Sequence, residues 1–234
     1  MQPDSKHPDF DRERAEAYDD KILRMCPWYD NLQEMIPVFL QAHLKETARV
    51  LIAGAGTGAE LIRLAEKQPG WQFTAVDPSE PMLEKALEKV EAEGVGSRVA
   101  LVHSTMEEMT EDETVYDAAT SIFVSHFITD HSAKADYFHA IRKRLRPDAP
   151  FILADLFADR TDASFEILME AWYTDFASRI EPSAPYDAKE DFIKIRQHIG
   201  FEPEETLREL LLQSGFDIMV RFFQQYLWGA WVVR

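Results

Sequence analysis

The chain has 234 residues, 46% of them hydrophobic, which suffices for one large domain with a full core. Acidic residues outnumber basic ones by 42 to 25, a net charge of −17, and this argues against RNA or DNA as a partner because phosphate binding needs Lys and Arg to displace counterions. The single cysteine, Cys26, excludes an intramolecular disulfide and a cysteine-cluster metal site; no apolar run reaches the length of a membrane span, and the polar stretch Met1 to Arg14 holds no signal-peptide core, so a cytoplasmic location is expected.

In chain order, Phe10 to Arg24 has helical spacing, with Ala15, Tyr18, Ile22 and Met25 on one face. Pro27 interrupts, and a second helix is predicted from Trp28 to Leu44. Strands and helices then alternate: strand Arg49–Ala53, helix Ala59–Lys67, strand Gln72–Val76, helix Glu80–Ala92, strand Val99–His103, an acidic loop from Glu107 to Glu113, strand Tyr116–Phe123, helix Lys134–Leu145 and strand Phe151–Ala154, ending at Asp155. Strands separated by helices imply right-handed crossovers and a parallel sheet. The basic cluster Arg142, Lys143, Arg144 and Arg146 sits at a helix end, where cations suit the dipole. From Leu156 to Gly200 no strand is evident. Helices are predicted at Ser164–Ile180 and Lys189–His198, split by Pro182 and Pro185. A helix at Pro203–Ser214, stopped by Gly215, precedes strands Phe216–Phe223 and Tyr226–Val233, which the Gln224-Gln225 link makes an antiparallel pair.

The run Val50 to Ala53 ends in Gly54-Ala55-Gly56-Thr57-Gly58, and a helix follows at once. Glycines at that junction allow a tight turn and close approach of a ligand to the main chain, and the helix start offers unsatisfied N–H groups. Asp77 follows Gly58 by 19 residues, at the end of the second strand. A carboxylate there can accept from both hydroxyls of a ribose. Capping of the next helix falls to Ser79, with Met82 at its third position, which leaves Asp77 for the ligand. This segment fits a dinucleotide seat as well as other nucleotide-like cofactors.

The spacing Gly54, Gly56, Gly58 together with the terminal hairpin resembles the class I S-adenosylmethionine-dependent methyltransferases. The implied fold is α/β: a Rossmann-like seven-stranded methyltransferase sheet (46–234) behind an N-terminal helical segment (1–45), with a helical lid insertion at 156–200. The resemblance continues through Asp77 with Met82-Leu83, through Leu101 to Met106 as the loop along adenine, through Asp117 to Phe127 as the fourth-strand motif, and through Leu145-Arg146-Pro147 before Phe151–Asp155. It implies S-adenosylmethionine as cofactor, bound by Gly54, Ala55, Gly56, Gly58, Asp77, Pro78, Met82, Thr105, Met106 and Ile122. Pro27 to Leu32 and the long insertion resemble the carboxy-S-adenosylmethionine synthase branch, in which an N-terminal tyrosine reaches the cofactor. Tyr29 falls on that position, although plain helix packing explains it as well. Three departures stand out. Ile52 replaces the acid usually found before the first glycine, Thr105 replaces the adenine-reading aspartate, and Phe192 stands where the synthases carry a carboxylate-binding arginine, with Lys194 and Arg196 nearby.

Ordinary methyl transfer to a small-molecule acceptor is therefore expected. The alternatives are carboxy-S-adenosylmethionine synthesis serving transfer-RNA wobble uridine modification, and cofactor binding without catalysis. His126, just beyond the fourth strand, is the candidate general base, and Asp155 is the second candidate; His103, His131 and His139 read as loop or helix residues. No metal site is expected, Asp130 with His126 and His131 being thin support for one. Phe165, Leu168, Trp172 and Phe176 form a helical stripe suited to the core, leaving Tyr173 and Tyr186 as pocket candidates. A homodimer through the N-terminal helices is a further expectation.

Overall fold

The computed structural model describes residues 11–110, 114–180 and 187–234. Its centre is a seven-stranded sheet of β1 (Arg49–Ala53), β2 (Gln72–Asp77), β3 (Val99–His103), β4 (Ala118–Ile122), β5 (Phe151–Leu156), β6 (Met219–Gln225) and β7 (Trp228–Val233), in the order β3-β2-β1-β4-β5-β7-β6. β1 to β5 are mutually parallel, and β7 runs antiparallel to both β5 and β6. This is the α/β, Rossmann-like arrangement expected. The helices are α1 (Arg12–Met25), α2 (Tyr29–Gln41), α3 (Ala59–Lys67), α4 (Glu80–Ala92), α5 (His131–Arg142), α6 (Ala163–Ala177), α7 (Ala188–His198) and α8 (Glu204–Gln213).

Alternation along β1 splits the core between the two faces of the sheet. Val50 and Ile52 face a cluster with Trp28, Leu32, Ile36, Trp172 and Phe176, so the N-terminal helices and the insertion cover that side. Leu51 and Ala53 face Phe138, Ile141, Leu207 and Leu211 of α5 and α8. Every residue of β5 is buried. One of them is Asp155, so its charge has to be met by partners inside the protein.

Several boundaries move for local reasons. Asp130 accepts the N–H of Ala133 at 2.9 Å and caps α5, which starts at His131 rather than Lys134. β2 runs on to end at Asp77, and β5 runs through Asp155 to Leu156. β4 is shorter than predicted: Tyr116 makes only an isolated bridge to Leu145, and Phe123 turns out of the strand at φ 63°. The hairpin reverses at Tyr226-Leu227, not at Gln224-Gln225, which stay paired with Gly229 and Trp228. Tyr226 has φ 51°, as two-residue hairpin loops require. In the basic cluster, Arg144 binds the carbonyl of Ala140 at 2.8 Å, satisfying a helix-end acceptor. Among the described residues no helix is long and apolar enough to cross a membrane.

Candidate cofactor pocket and acceptor cavity

Strand order reverses between β1 and β4, opening a crevice at their C-terminal ends, where ligands bind in open α/β sheets. A pocket of about 380 Å³ lies there. Of the residues expected to hold the cofactor, Gly54, Gly56, Asp77, Pro78, Met82, Thr105, Met106 and Ile122 all line it. Ala55, Gly58 and Tyr29 do not. Ala55 is spent on the turn, its N–H donating to the carbonyl of Val76 at 2.9 Å.

The glycines divide their work. Gly56 has φ 51°, and a Cβ added to it would meet no protein atom within 4 Å, so the space above it is the pocket itself. Gly58 has φ 80°, and an added Cβ would lie 3.0 Å from that of Ala86 on α4. Its role is close helix packing rather than ligand contact. The carboxylate of Asp77 is held from two sides by backbone donors, the N–H of Gly56 and that of Ser79, each at 2.8 Å. It is therefore a structural clamp on the loop as well as a pocket wall, a second task that spacing alone did not reveal. Ser79 caps α4 as expected, accepting from Met82 N–H at 3.3 Å. A bare, glycine-floored pocket with a fixed carboxylate fits a ribose-bearing cofactor.

Two tyrosines line this pocket, Tyr137 of α5 and, from the N-terminal segment, Tyr18 of α1. Tyr29 sits behind the wall, against Phe123 with ring centroids 5.5 Å apart. Burial, and then the nearby Cys26, Asp77 and Asp19, hold the Tyr18 hydroxyl well above the usual phenol range, so it stays protonated. The next residue, Asp19, accepts from the Thr57 hydroxyl and from Lys89 Nζ, both at 2.5 Å. α1 is thus tied to the glycine loop and to α4. His103 ends β3, as the predicted strand has it, and lines the pocket, its Nε2 2.9 Å from the carbonyl of Pro78.

A second cavity, of about 1170 Å³, adjoins the first and shares Tyr18, Thr105, Glu107, Phe123, Phe127 and Ile128 with it. α1, α5, α6 and α7 surround it, with Trp228 of β7. Trp172 of α6 lines it too, although its stripe packs into the core as expected and its Nε1 donates to the carbonyl of Met25 at 2.9 Å. Lys21 of α1 pairs with Asp191 of α7 at 2.7 Å, joining the N-terminal segment to the insertion over the cavity.

His126 lines this cavity from a short 3₁₀ turn after β4 (Ser125–Phe127). Its Nδ1 meets Asp155 Oδ1, while Asp155 Oδ2 accepts from the Ser125 hydroxyl. Backbone N–H groups of His126 (3.2 Å) and Leu156 (2.9 Å) complete the carboxylate's shell. The two candidates read separately from the sequence thus form one dyad. Burial pushes the Asp155 carboxyl up. The charge and hydrogen bond of His126, the Ser125 hydroxyl and the charge of Lys134 outweigh it, so the carboxyl sits below its ordinary range. Asp155 fixes the Nδ1–H tautomer and leaves Nε2 as the acceptor. Phe123, at positive φ, stands where the two cavities meet; strained backbone of this kind clusters at functional sites.

Supporting groups escaped sequence inspection. Lys134, 1% exposed, pairs with Glu202 at 3.0 Å, and Glu202 also binds Nε2 of the exposed His131 at 2.9 Å. Gly200 N–H donates to the carbonyl of His126 at 2.8 Å, so the end of the insertion braces the dyad's turn. In the first turn of α3, Glu60 is buried with Oε1 unpartnered among the described residues, and burial pushes its carboxyl up to about 7. Tyr173 packs on Phe192 at 5.4 Å and lines neither cavity; Tyr186 lies outside the described residues. Phe192 packs edge-to-face on Trp172 and Tyr173 and at a tilt on Phe176, an aromatic setting. Arg196 is taken by Glu166 at 2.5 Å and Lys194 by Glu190 at 2.8 Å.

Residues 50–148 match the family model described as a methyltransferase domain. The chain is 28% identical over 233 residues to the carboxy-S-adenosyl-L-methionine synthase of Campylobacter concisus, covering 97% of this chain and 93% of that protein. Among solved structures, a candidate S-adenosyl-L-methionine-dependent methyltransferase from Methanococcus maripaludis superposes with TM-score 0.68 at 21% identity, covering 100% of this chain and 95% of that one. The mitomycin 7-O-methyltransferase MmcR superposes with TM-score 0.60 at 17% identity over 82% of this chain, which spans 51% of that larger protein. These two likenesses speak to the fold. The chain thus carries a methyltransferase domain, and its fold is similar to that of class I S-adenosylmethionine-dependent methyltransferases.

Proposed function

We propose that the protein transfers a methyl group from S-adenosylmethionine to a small-molecule nucleophile, with His126 as general base. One observation carries this most strongly: a buried imidazole, oriented by Asp155, lines a cavity that shares a wall with the pocket built by the glycine loop. The cofactor, when bound, supplies a methyl group already activated by its sulfonium.

The residues divide the remaining tasks. Gly54, Gly56 and Asp77 seat the ribose end, and Thr105, Met106 and Ile122 flank the adenine side. Tyr18, a neutral hydroxyl on α1, closes the pocket. Phe123 and Phe127 form the partition that an acceptor has to meet, and they exclude water there. His126 Nε2 receives the acceptor's proton, and Asp155, a positioning residue, stabilises the imidazolium that results.

Binding is tested by calorimetry with S-adenosylmethionine and S-adenosylhomocysteine. Absence of binding by both would defeat the proposal. Turnover is tested by mass spectrometry over an acceptor panel, where wild-type methylation should collapse in His126→Ala.

The second reading is carboxy-S-adenosylmethionine synthesis, favoured by the name and coverage of the Campylobacter relative. Against it stands the setting of Phe192: an extra carboxylate would meet aromatic rings there, with Arg196 and Lys194 each engaged by a glutamate. The mass of the ligand that co-purifies with the protein separates the two.

A further inference from the structure

The acceptor cavity carries a charge signature that narrows the acceptor. Its lining holds the carboxylates of Glu13, Glu107, Glu108, Asp130, Asp136 and Asp191. Against them stand Arg14, Lys21 and Lys194, of which Lys21 is paired with Asp191 and Lys194 with Glu190. The floor is different in kind: Trp172, Trp228, Phe123, Leu156 and Met25 present apolar and aromatic surface around His126. That histidine is 3% exposed, its Nδ1 is committed to Asp155, and its Nε2 has no partner among the described residues. The cavity is therefore acidic at its mouth, aromatic within, and ends on an unpartnered imidazole nitrogen.

We propose that this cavity takes an organic amine with an apolar ring or chain, and that the protein is an N-methyltransferase. This rests on the methyl-transfer proposal above and narrows its acceptor. An acidic mouth raises the local concentration of cations and repels carboxylates and phosphates. Aromatic faces receive both the apolar body and an ammonium head. An amine arrives protonated near neutral pH and has no lone pair for attack. His126 Nε2 takes one proton from the ammonium, giving the neutral amine and an imidazolium. The nitrogen lone pair then forms the bond to the methyl carbon as the sulfur–methyl bond breaks, its electron pair staying on sulfur. The products are a methylammonium and S-adenosylhomocysteine, and the imidazolium returns its proton to solvent. An acceptor that is already anionic would need no base and would be opposed by the rim.

The test uses three ligands with one ring system and different heads: tryptamine, tryptophol and indole-3-acetate. Each is titrated calorimetrically into the full chain saturated with S-adenosylhomocysteine, at low and high salt. Tryptamine is expected to bind about tenfold or more tighter than indole-3-acetate, with tryptophol between them and the preference shrinking as salt rises. The double variant Glu108→Gln, Asp136→Asn, at residues that line this cavity and not the cofactor pocket, should lose most of that preference while still binding tryptophol as the wild type does. Binding of indole-3-acetate as tight as that of tryptamine, or no tryptamine binding at millimolar concentration, overturns the proposal. Because S-adenosylhomocysteine binding is measured first, failure of the parent methyl-transfer proposal is seen separately.

Discussion

The two cavities are built by opposite strategies. The cofactor pocket is made from the ends of consecutive strands: Gly54 and Gly56 after β1, Asp77 in β2, Thr105 after β3 and Ile122 in β4. The acceptor cavity is made from parts far apart in the chain: α1, the turn after β4, the insertion helices and Trp228 of the last strand. Recognition of a shared cofactor can thus reside in local motifs on a rigid sheet. On the proposed function, recognition of the acceptor depends on how the N-terminal helix and the insertion meet. Only Tyr18, Phe123 and a few neighbours answer to both.

Substitutions can test how separable the two ends are. The largest effect is expected at the acceptor end. His126→Ala should lower the turnover rate by about 10²–10⁴-fold while leaving the affinity for S-adenosylmethionine unchanged, as read by calorimetry. A matching loss of cofactor affinity would mean that the two cavities are one functional unit. Lys134→Met leaves Glu202 buried without its main partner, at a cost of about 3–5 kcal/mol in denaturant unfolding. Replacing both residues, as in Lys134→Met with Glu202→Leu, should restore much of that stability. If the single variant unfolds like the wild type, the buried pair contributes nothing measurable to stability.

Beneath the cofactor end, Glu60 predicts a pH dependence. Its carboxyl is raised from 4.5 to about 7 in the native protein. Below the unfolded value both states hold the proton, and the native state has its full stability. As pH rises from there, the unfolded chain ionises first, so stability falls until the folded value is passed and then levels off. The whole change is of order 3 kcal/mol. Glu60→Gln should flatten that slope between pH 4.5 and 7; parallel curves for variant and wild type would show that the buried carboxyl does not titrate this way. Next comes Asp77→Ala, which removes a charged acceptor from the cofactor pocket and should weaken S-adenosylmethionine about ten- to a hundred-fold, with a modest loss of stability from the freed Gly56 and Ser79 N–H groups. The smallest effect belongs to Arg12→Ala. Its pair with Glu84 joins α1 to α4, but the side chains are 71% and 48% exposed, so the loss should stay within about 1 kcal/mol.

Legibility followed the same divide. The limits of β1, α3, α4 and β3 agree with the expectation residue for residue, because caps, glycines and apolar periodicity act within a few positions. Eight of the residues expected at the cofactor pocket line it. The ones that do not, Ala55, Gly58 and Tyr29, belong to the same motifs but are used for turn closure, helix packing and wall support. At the acceptor end, His126 and Asp155 were each visible as polar residues at strand ends. Their pairing was not, because β4 and β5 have to lie side by side before the two side chains meet. Tyr18 read as one residue on an apolar helix face, and nothing local says that this face lies over the glycine loop.

What the sequence by itself determined is the sheet, its crossovers and the seat for the cofactor. Those depend on local conformational preferences and on a spacing that places glycines and a carboxylate at adjacent strand ends. Only the tertiary structure decided which N-terminal tyrosine lines the pocket, how His126 is oriented, and that a large acid-rimmed cavity stands beside it. These are set by contacts such as Thr57 with Asp19, Lys21 with Asp191 and Trp172 with Met25, between residues 38, 170 and 147 positions apart. At such separations the free energy comes from the packed whole, and no local pattern records it.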